Sequence, residues 1–287
     1  MTQFLDQIIN SLNVGSIYAL IALGYTMVYG IVKLINFAHG EILMIGAFVG
    51  YFLATTFSMS LIPLLLLSML ACALIGMAID RIAYKPLRSA PRISALITAL
   101  GMSMFLSNLF KYLFGASDKI MPPVKLIGNI DLPDITILTM TITILCMIAL
   151  EYTVKKTKAG QAMRAVSEDR DAAQLMGINV DRTISLTFAI GSALGAVGGV
   201  LYALNYGNLE PYMGVMPGLK AFVAAVLGGI GIIPGAMVGG FVIGAIETFV
   251  KGYISSSWAN VFVFGVLIIV LLVKPTGLFG KNVKEKV

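Results

Sequence analysis

His39 is the only histidine in this 287-residue chain, and it stands three residues after Asn36 and two before Glu41 in the stretch KLINFAHGEIL, 33–43. An amide, an imidazole and a carboxylate within six residues can relay a proton, line a polar path, or tie helices together by hydrogen bonds. Gly40 sits between His39 and Glu41 and weakens helix there, because a residue without a side chain loses more freedom on ordering. A second irregular stretch, LGGIGIIPGAMVGG at 227–240, crowds Gly228, Gly229, Gly231, Pro234 and Gly235 into eight residues.

Other chemistries find few residues to work with. A phosphate-binding loop needs GxxxxGK[ST] between a strand and a helix, and neither glycine-rich stretch ends in Lys-Ser or Lys-Thr. There is no HExxH, no metal-ligand cluster, and no second histidine for a Ser-His pair. Cys72 and Cys146 lie in apolar runs and read as small buried hydrophobes. The sequence therefore predicts no catalytic residue, no metal site and no cofactor bound by this chain.

The elements that position His39 follow from composition. Only 12% of residues are charged and 58% are hydrophobic, whereas a water-soluble domain carries roughly a quarter charged residues. Apolar runs of about 20 residues recur along the chain, the length that crosses a bilayer as helix. They do not alternate as barrel strands do. The prediction is an all-α, polytopic transmembrane bundle of eight or nine spans, forming one domain over 1–287. The spans fall near 8–32, 34–57, 60–80, 94–114, 135–152, 183–204, 217–232, 234–252 and 257–275, with broken or re-entrant segments near 33–43 and 227–236. The first span, lacking a basic stretch before it, reads as a retained insertion signal.

Basic loops orient the bundle. Residues 81–92 carry Arg81, Lys85, Arg88 and Arg92; residues 153–182 carry Lys155, Lys156, Lys158, Arg164, Arg170 and Arg182; the tail carries Lys281, Lys284 and Lys286. All three read as cytoplasmic, and the balanced loop 115–134 as external, which puts the N-terminus outside. The net charge of +6 is then a loop bias and not a nucleic-acid signal.

Loop 153–182 carries an apolar stripe of Ala162, Ala165, Val166, Ala172, Ala173 and Met176, with Arg164, Glu168, Arg170 and Asp171 opposite. Ser167 can cap a second short helix, with Glu168 and Asp169 in its first turn, and Gly177 suits its end. One bent or two short helices are expected along the inner face, either covering the bundle or docking a partner. The mixed charges are not those of a lipid-binding helix.

Ionisable groups in a span face the bundle interior or a water-filled path. Non-helical backbone at membrane depth persists only where protein or a cavity satisfies it, and paired breaks in transporters point to the substrate route. By this reading Asn36, His39, Gly40, Glu41, Gly228, Gly229, Gly231, Pro234 and Gly235 shape the path. The competing reading makes His39 and Glu41 an interhelical hydrogen-bond cluster and the glycines close-packing positions, as in Gly191 to Gly195 and Gly235 to Gly239.

INFAHGE (35–41), the loop from Gly160 through Arg164, Asp169, Ala173 and Gly177-Ile178, and LGGIGIIPGA (227–236) resemble the LivH-type permease subunit of bacterial branched-chain amino acid ABC importers. GSIYALIALGYTMVYGI and PTGLFG are similar too, and the likeness runs nearly the whole chain in one order. One departure is Ile232, where the family often carries a small hydroxyl residue. The resemblance implies a multi-pass subunit of the bacterial inner membrane. It implies a second homologous permease subunit, two ATPase subunits using Mg-ATP, and a soluble substrate-binding protein. Loop 153–182 becomes the coupling element, carried by Arg164, Glu168, Asp169, Ala172, Ala173 and Gly177. Related permeases move urea or short amides. The rival outside this class is an ion-coupled secondary transporter using His39 and Glu41; a further one is a structural subunit with no path.

Overall fold

The computed structural model describes residues 2–88, 90–127 and 130–280; Lys281, Lys284 and Lys286, read above as a basic tail, lie outside them. The chain forms α1 (Thr2–Val32), α2 (His39–Phe57), α3 (Leu61–Ile79), α4 (Arg92–Phe114), α5 (Ile135–Lys156), α6 (Lys158–Glu168), α7 (Arg170–Leu175), α8 (Val180–Tyr206), α9 (Val215–Gly228), α10 (Ile233–Tyr253) and α11 (Ala259–Val273). A π-helical turn, Asp80–Tyr84, and a 3-10 turn, Lys85–Leu87, follow α3. Among the described residues eight helices are long and apolar enough to cross a membrane. The bundle is a multi-pass membrane fold.

Helices α1 and α8 form its buried centre, while α4, α5 and α11 leave most of their apolar surface outward. Lipid tails are as apolar as leucine, so helix association there rests on close fit and small residues. The centre is built that way. A methyl group added at Gly46 of α2 would lie 2.5 Å from Ala196 Cα of α8, and one added at Gly15 of α1 would lie 2.9 Å from Phe241 Cα of α10. The outer helices carry bulky exposed residues instead, such as Leu70, Ile97, Ile148 and Leu272.

One end of the bundle gathers segments 80–92, 153–182 and 274–280; there Lys85 pairs with Asp181 at 2.7 Å. The opposite end carries a small antiparallel ribbon, β1 (Lys119–Ile120) on β2 (Asn208–Leu209), with Lys119 opposite Leu209. The expected short span near 217–232 is α9, whose 14 residues extend about 21 Å, less than the ~30 Å of a hydrocarbon core. Segment 207–214, which carries β2, leads from the ribbon end into α9. Leu278 N–H then donates to Leu227 O at 2.8 Å, returning the chain's last described stretch to the basic end.

Gly46→Ala should cost about 1–3 kcal/mol by overpacking and lower the melting temperature of the purified protein. Gly101→Ala, where nothing lies within 4 Å, should leave it unchanged or raise it.

Candidate functional site

Helix α1 stops because Lys33 turns left-handed, with φ 57°. Residues 34–38 continue without helix, and α2 opens as His39 N–H donates to Asn36 O at 3.0 Å. The first break is therefore shorter than its sequence suggests: it covers 33–38, and His39, Gly40 and Glu41 belong to the first turn of α2. Gly40 does not interrupt the helix. Its missing side chain instead admits the start of α9, since a methyl there would meet Gly214 O at 2.6 Å and Gly218 Cα at 3.2 Å. Two helix beginnings thus meet inside the bundle.

His39 is buried with Nε2 unpartnered. Its ring lies 4.7 Å from that of Tyr25 and fills the space left by Gly24 and Gly195. Gly24 lies eight residues before the end of α1, about 12 Å in from the basic end, so His39 sits deep in the bundle. Asn36 is held from the other side: Tyr84 O–H donates to its Oδ1 at 2.7 Å. Glu41 faces elsewhere. Its Oε1 accepts from Ser103 O–H of α4 at 2.9 Å, and its Oε2 has no partner. Residues two apart point to different helix faces, and neither His39 Nε2 nor Glu41 Oε2 reaches a partner among the described residues.

The second break is also narrower than 227–236. Gly228 closes α9, Gly229 and Gly231 take φ 102° and 92°, and α10 starts at Ile233 with Pro234 in its first turn. Those positive φ angles favour glycine. Gly235 is helical and packs on Gly228, while Gly239 packs on Ala224; these are close-packing positions. The two breaks come together in a vestibule of about 840 Å³ at the basic end, lined by Lys33 from the first, Ile230, Gly231 and Ile232 from the second, and Glu168 from the loop. Above it, Asn36, His39, Tyr25, Phe222 and Ile230 leave a cavity of about 10 Å³, room for one water at most.

Loop 153–182 is two short helices. Thr157 caps α6 by accepting Gly160 N–H at 3.0 Å, and Asp169, not Ser167, caps α7 by accepting Asp171 N–H at 2.9 Å and Ala172 N–H at 3.0 Å. Gly177 ends the turn at φ 82°. The buried stripe is Met163, Val166 and Ala173; Met176 is 82% exposed beside Leu175 at 89%. The stripe moves because the chain turns at Asp169 between the helices. Arg164 folds back onto Val154 O, Glu168 and Ala172 face outward, and Arg170, read as outward, reaches inward to donate to Val32 O at 2.6 Å.

Two buried charge groups escaped the sequence reading. Asp80 accepts from Arg88 at 2.7 and 2.9 Å and from Ser185 O–H at 2.6 Å. Glu247 of α10 pairs with Lys220 of α9 at 2.7 Å and Lys251 at 2.6 Å, and accepts from Tyr18 O–H at 2.7 Å. The available signal was an ionisable residue inside an apolar span. Among the described residues no group of three or more His, Cys, Asp or Glu could hold a metal ion.

A family model described as branched-chain amino acid transport system / permease component matches residues 7–272. The chain belongs to this permease family. It is 45% identical to the high-affinity branched-chain amino acid transport system permease protein LivH of Salmonella typhimurium, over 99% of this chain and 98% of that one. It is 43% identical to the permease protein BraD of Pseudomonas aeruginosa over the same shares. It is 30% identical to a probable LivH of Methanocaldococcus jannaschii, over 94% and 91%. No solved structure matches the permease. Membership favours an importer subunit over an ion-coupled carrier.

Tyr84→Phe removes the bond to Asn36 and should cost about 1 kcal/mol. Backbone amide exchange in 33–38 should speed up relative to that in α8.

Proposed function

We propose that this permease forms half of the membrane path of an ATP-driven importer for branched-chain amino acids in the bacterial plasma membrane, with its N-terminus outside. A second, homologous permease subunit completes the path. Two ATPase subunits bind Mg-ATP beneath the basic end, and a soluble substrate-binding protein delivers the amino acid at the ribbon end. The observation that carries this reading is the vestibule where both breaks meet Glu168 of the loop. Its size suits a small ligand, and its upper limit is the closed space at His39.

Coupling runs through loop 153–182. The apolar tip Leu175–Met176 stands exposed just before the turn at Gly177, as suits insertion into a groove of an ATPase, with Arg164, Glu168, Asp169 and Ala172 on the same two-helix unit. Ala173 keeps α7 close to the bundle. Arg170 joins α7 to the end of α1 through Val32 O. A cavity of about 320 Å³ beside Arg170, Lys33 and Arg88 gives this linkage room to move. When the ATPases close, α7 shifts, Arg170 draws on the start of the first break, and the helices rock between a path open at the basic end and one open at the ribbon end.

Uptake into vesicles holding the whole assembly should require ATP, and both ATPases and a second permease should co-purify. Equal uptake with and without ATP overturns the reading. Arg170→Ala should keep assembly and ATP hydrolysis while lowering uptake tenfold or more, because a charged hydrogen bond is worth about 1.5–3 kcal/mol. Leu175→Asp should instead reduce the ATPase recovered with the permease.

A further inference from the structure

The ionic group of α9 and α10 has no part in the coupling just described. Lys220 is 6% exposed and Glu247 2%. One carboxylate is shared by two ammonium groups, Lys220 and Lys251, so the group carries a net charge of +1. A lysine ammonium has three N–H donors. Among the described residues Lys220 has one hydrogen-bond partner, Glu247 Oε1 at 2.7 Å. A buried cation with unused donors, in a group with surplus positive charge, is poorly compensated as it stands. An anion would complete it.

Its position fits the route. Tyr18, which donates to Glu247 Oε2, and Tyr25, which packs on His39, lie seven residues apart on α1. That spacing is two turns, about 10 Å along one face. The ionic group and the His39 constriction therefore follow one another along the seam of α1 with α9, the ionic group nearer the ribbon end. Lys251 is half exposed and can leave Glu247 for solvent; Lys220 cannot.

We propose that Lys220 and Glu247 form a subsite for the α-amino acid zwitterion on its way to the constriction. The substrate carboxylate takes the unused N–H groups of Lys220. The substrate ammonium replaces Lys251 on Glu247, and charges then alternate around the site. Electrostatic complementarity of this kind selects ligands bearing both groups at one carbon. A purely structural ion pair, by contrast, tolerates joint replacement by uncharged residues of similar size.

The proposal deepens the importer reading and rests on it, and its first test, ligand binding, needs no ATP. The purified assembly, without substrate-binding protein, is heated in detergent with millimolar leucine, with isoamylamine, which lacks the carboxylate, or with 4-methylpentanoate, which lacks the ammonium. Leucine should raise the melting temperature, as a ligand of the native state does. Isoamylamine should not, and 4-methylpentanoate should do less than leucine. A shift equal for leucine and isoamylamine, or none with leucine, overturns the subsite. The double variant K220M/E247Q should lose the leucine shift and at least tenfold of ATP-driven uptake. Wild-type uptake by that variant makes the pair structural only. Loss of ATP dependence in the wild type counts against the importer reading; the leucine comparison bears on the subsite alone.

Discussion

A peptide group released from a helix inside hydrocarbon has no water to bond with, and this constraint governs both breaks. Each is closed by protein. Val32 O, freed at the end of α1, receives the guanidinium of Arg170. Leu227 O and Gly228 O, freed at the end of α9, receive the N–H groups of Leu278 and Phe279 at 2.8 and 3.3 Å. The first break thus depends on the 153–182 loop and the second on the chain beyond α11. Neither can open without disturbing a partner distant in sequence.

Small residues set how near the helices come. Where lipid offers no hydrophobic gain for association, contact and shape must supply it. Gly40, Gly214 and Gly218 bring the beginnings of α2 and α9 together, and Gly24 and Gly195 make room for the ring of His39. The imidazole is a packing element and a polar surface at once. Its Nε2 is unbonded and faces a nearly closed cavity above the vestibule.

The ionic groups divide by neighbourhood. Asp80 is matched by Arg88 and Ser185 in a compact network at the basic end, which ties the π-helical turn to α8. Glu247 and its lysines lie toward the other end and carry surplus charge. Buried ion pairs add little net stability, because desolvation offsets their attraction.

Much was legible in the chain itself. Apolar runs of bilayer length define helices with no reference to neighbours, because the membrane imposes the length and demands internal backbone bonding. KLINFAHGEIL and LGGIGIIPGAMVGG announced departures from helix through their glycines and polar groups. What only the tertiary structure decided was where helix resumes and which side chains meet. The local pattern extends the first break over Gly40, yet the backbone at Gly40 is helical and its bare Cα serves α9. It groups His39 with Glu41, which point to α1 and α4 respectively. It sets Arg170 on the outside and passes over Lys220 and Glu247, whose partners are 138 and 27 residues away. Local pattern and the bilayer specify that a helix forms; where it resumes after a break and how its faces pair are long-range packing outcomes, and no periodicity records them.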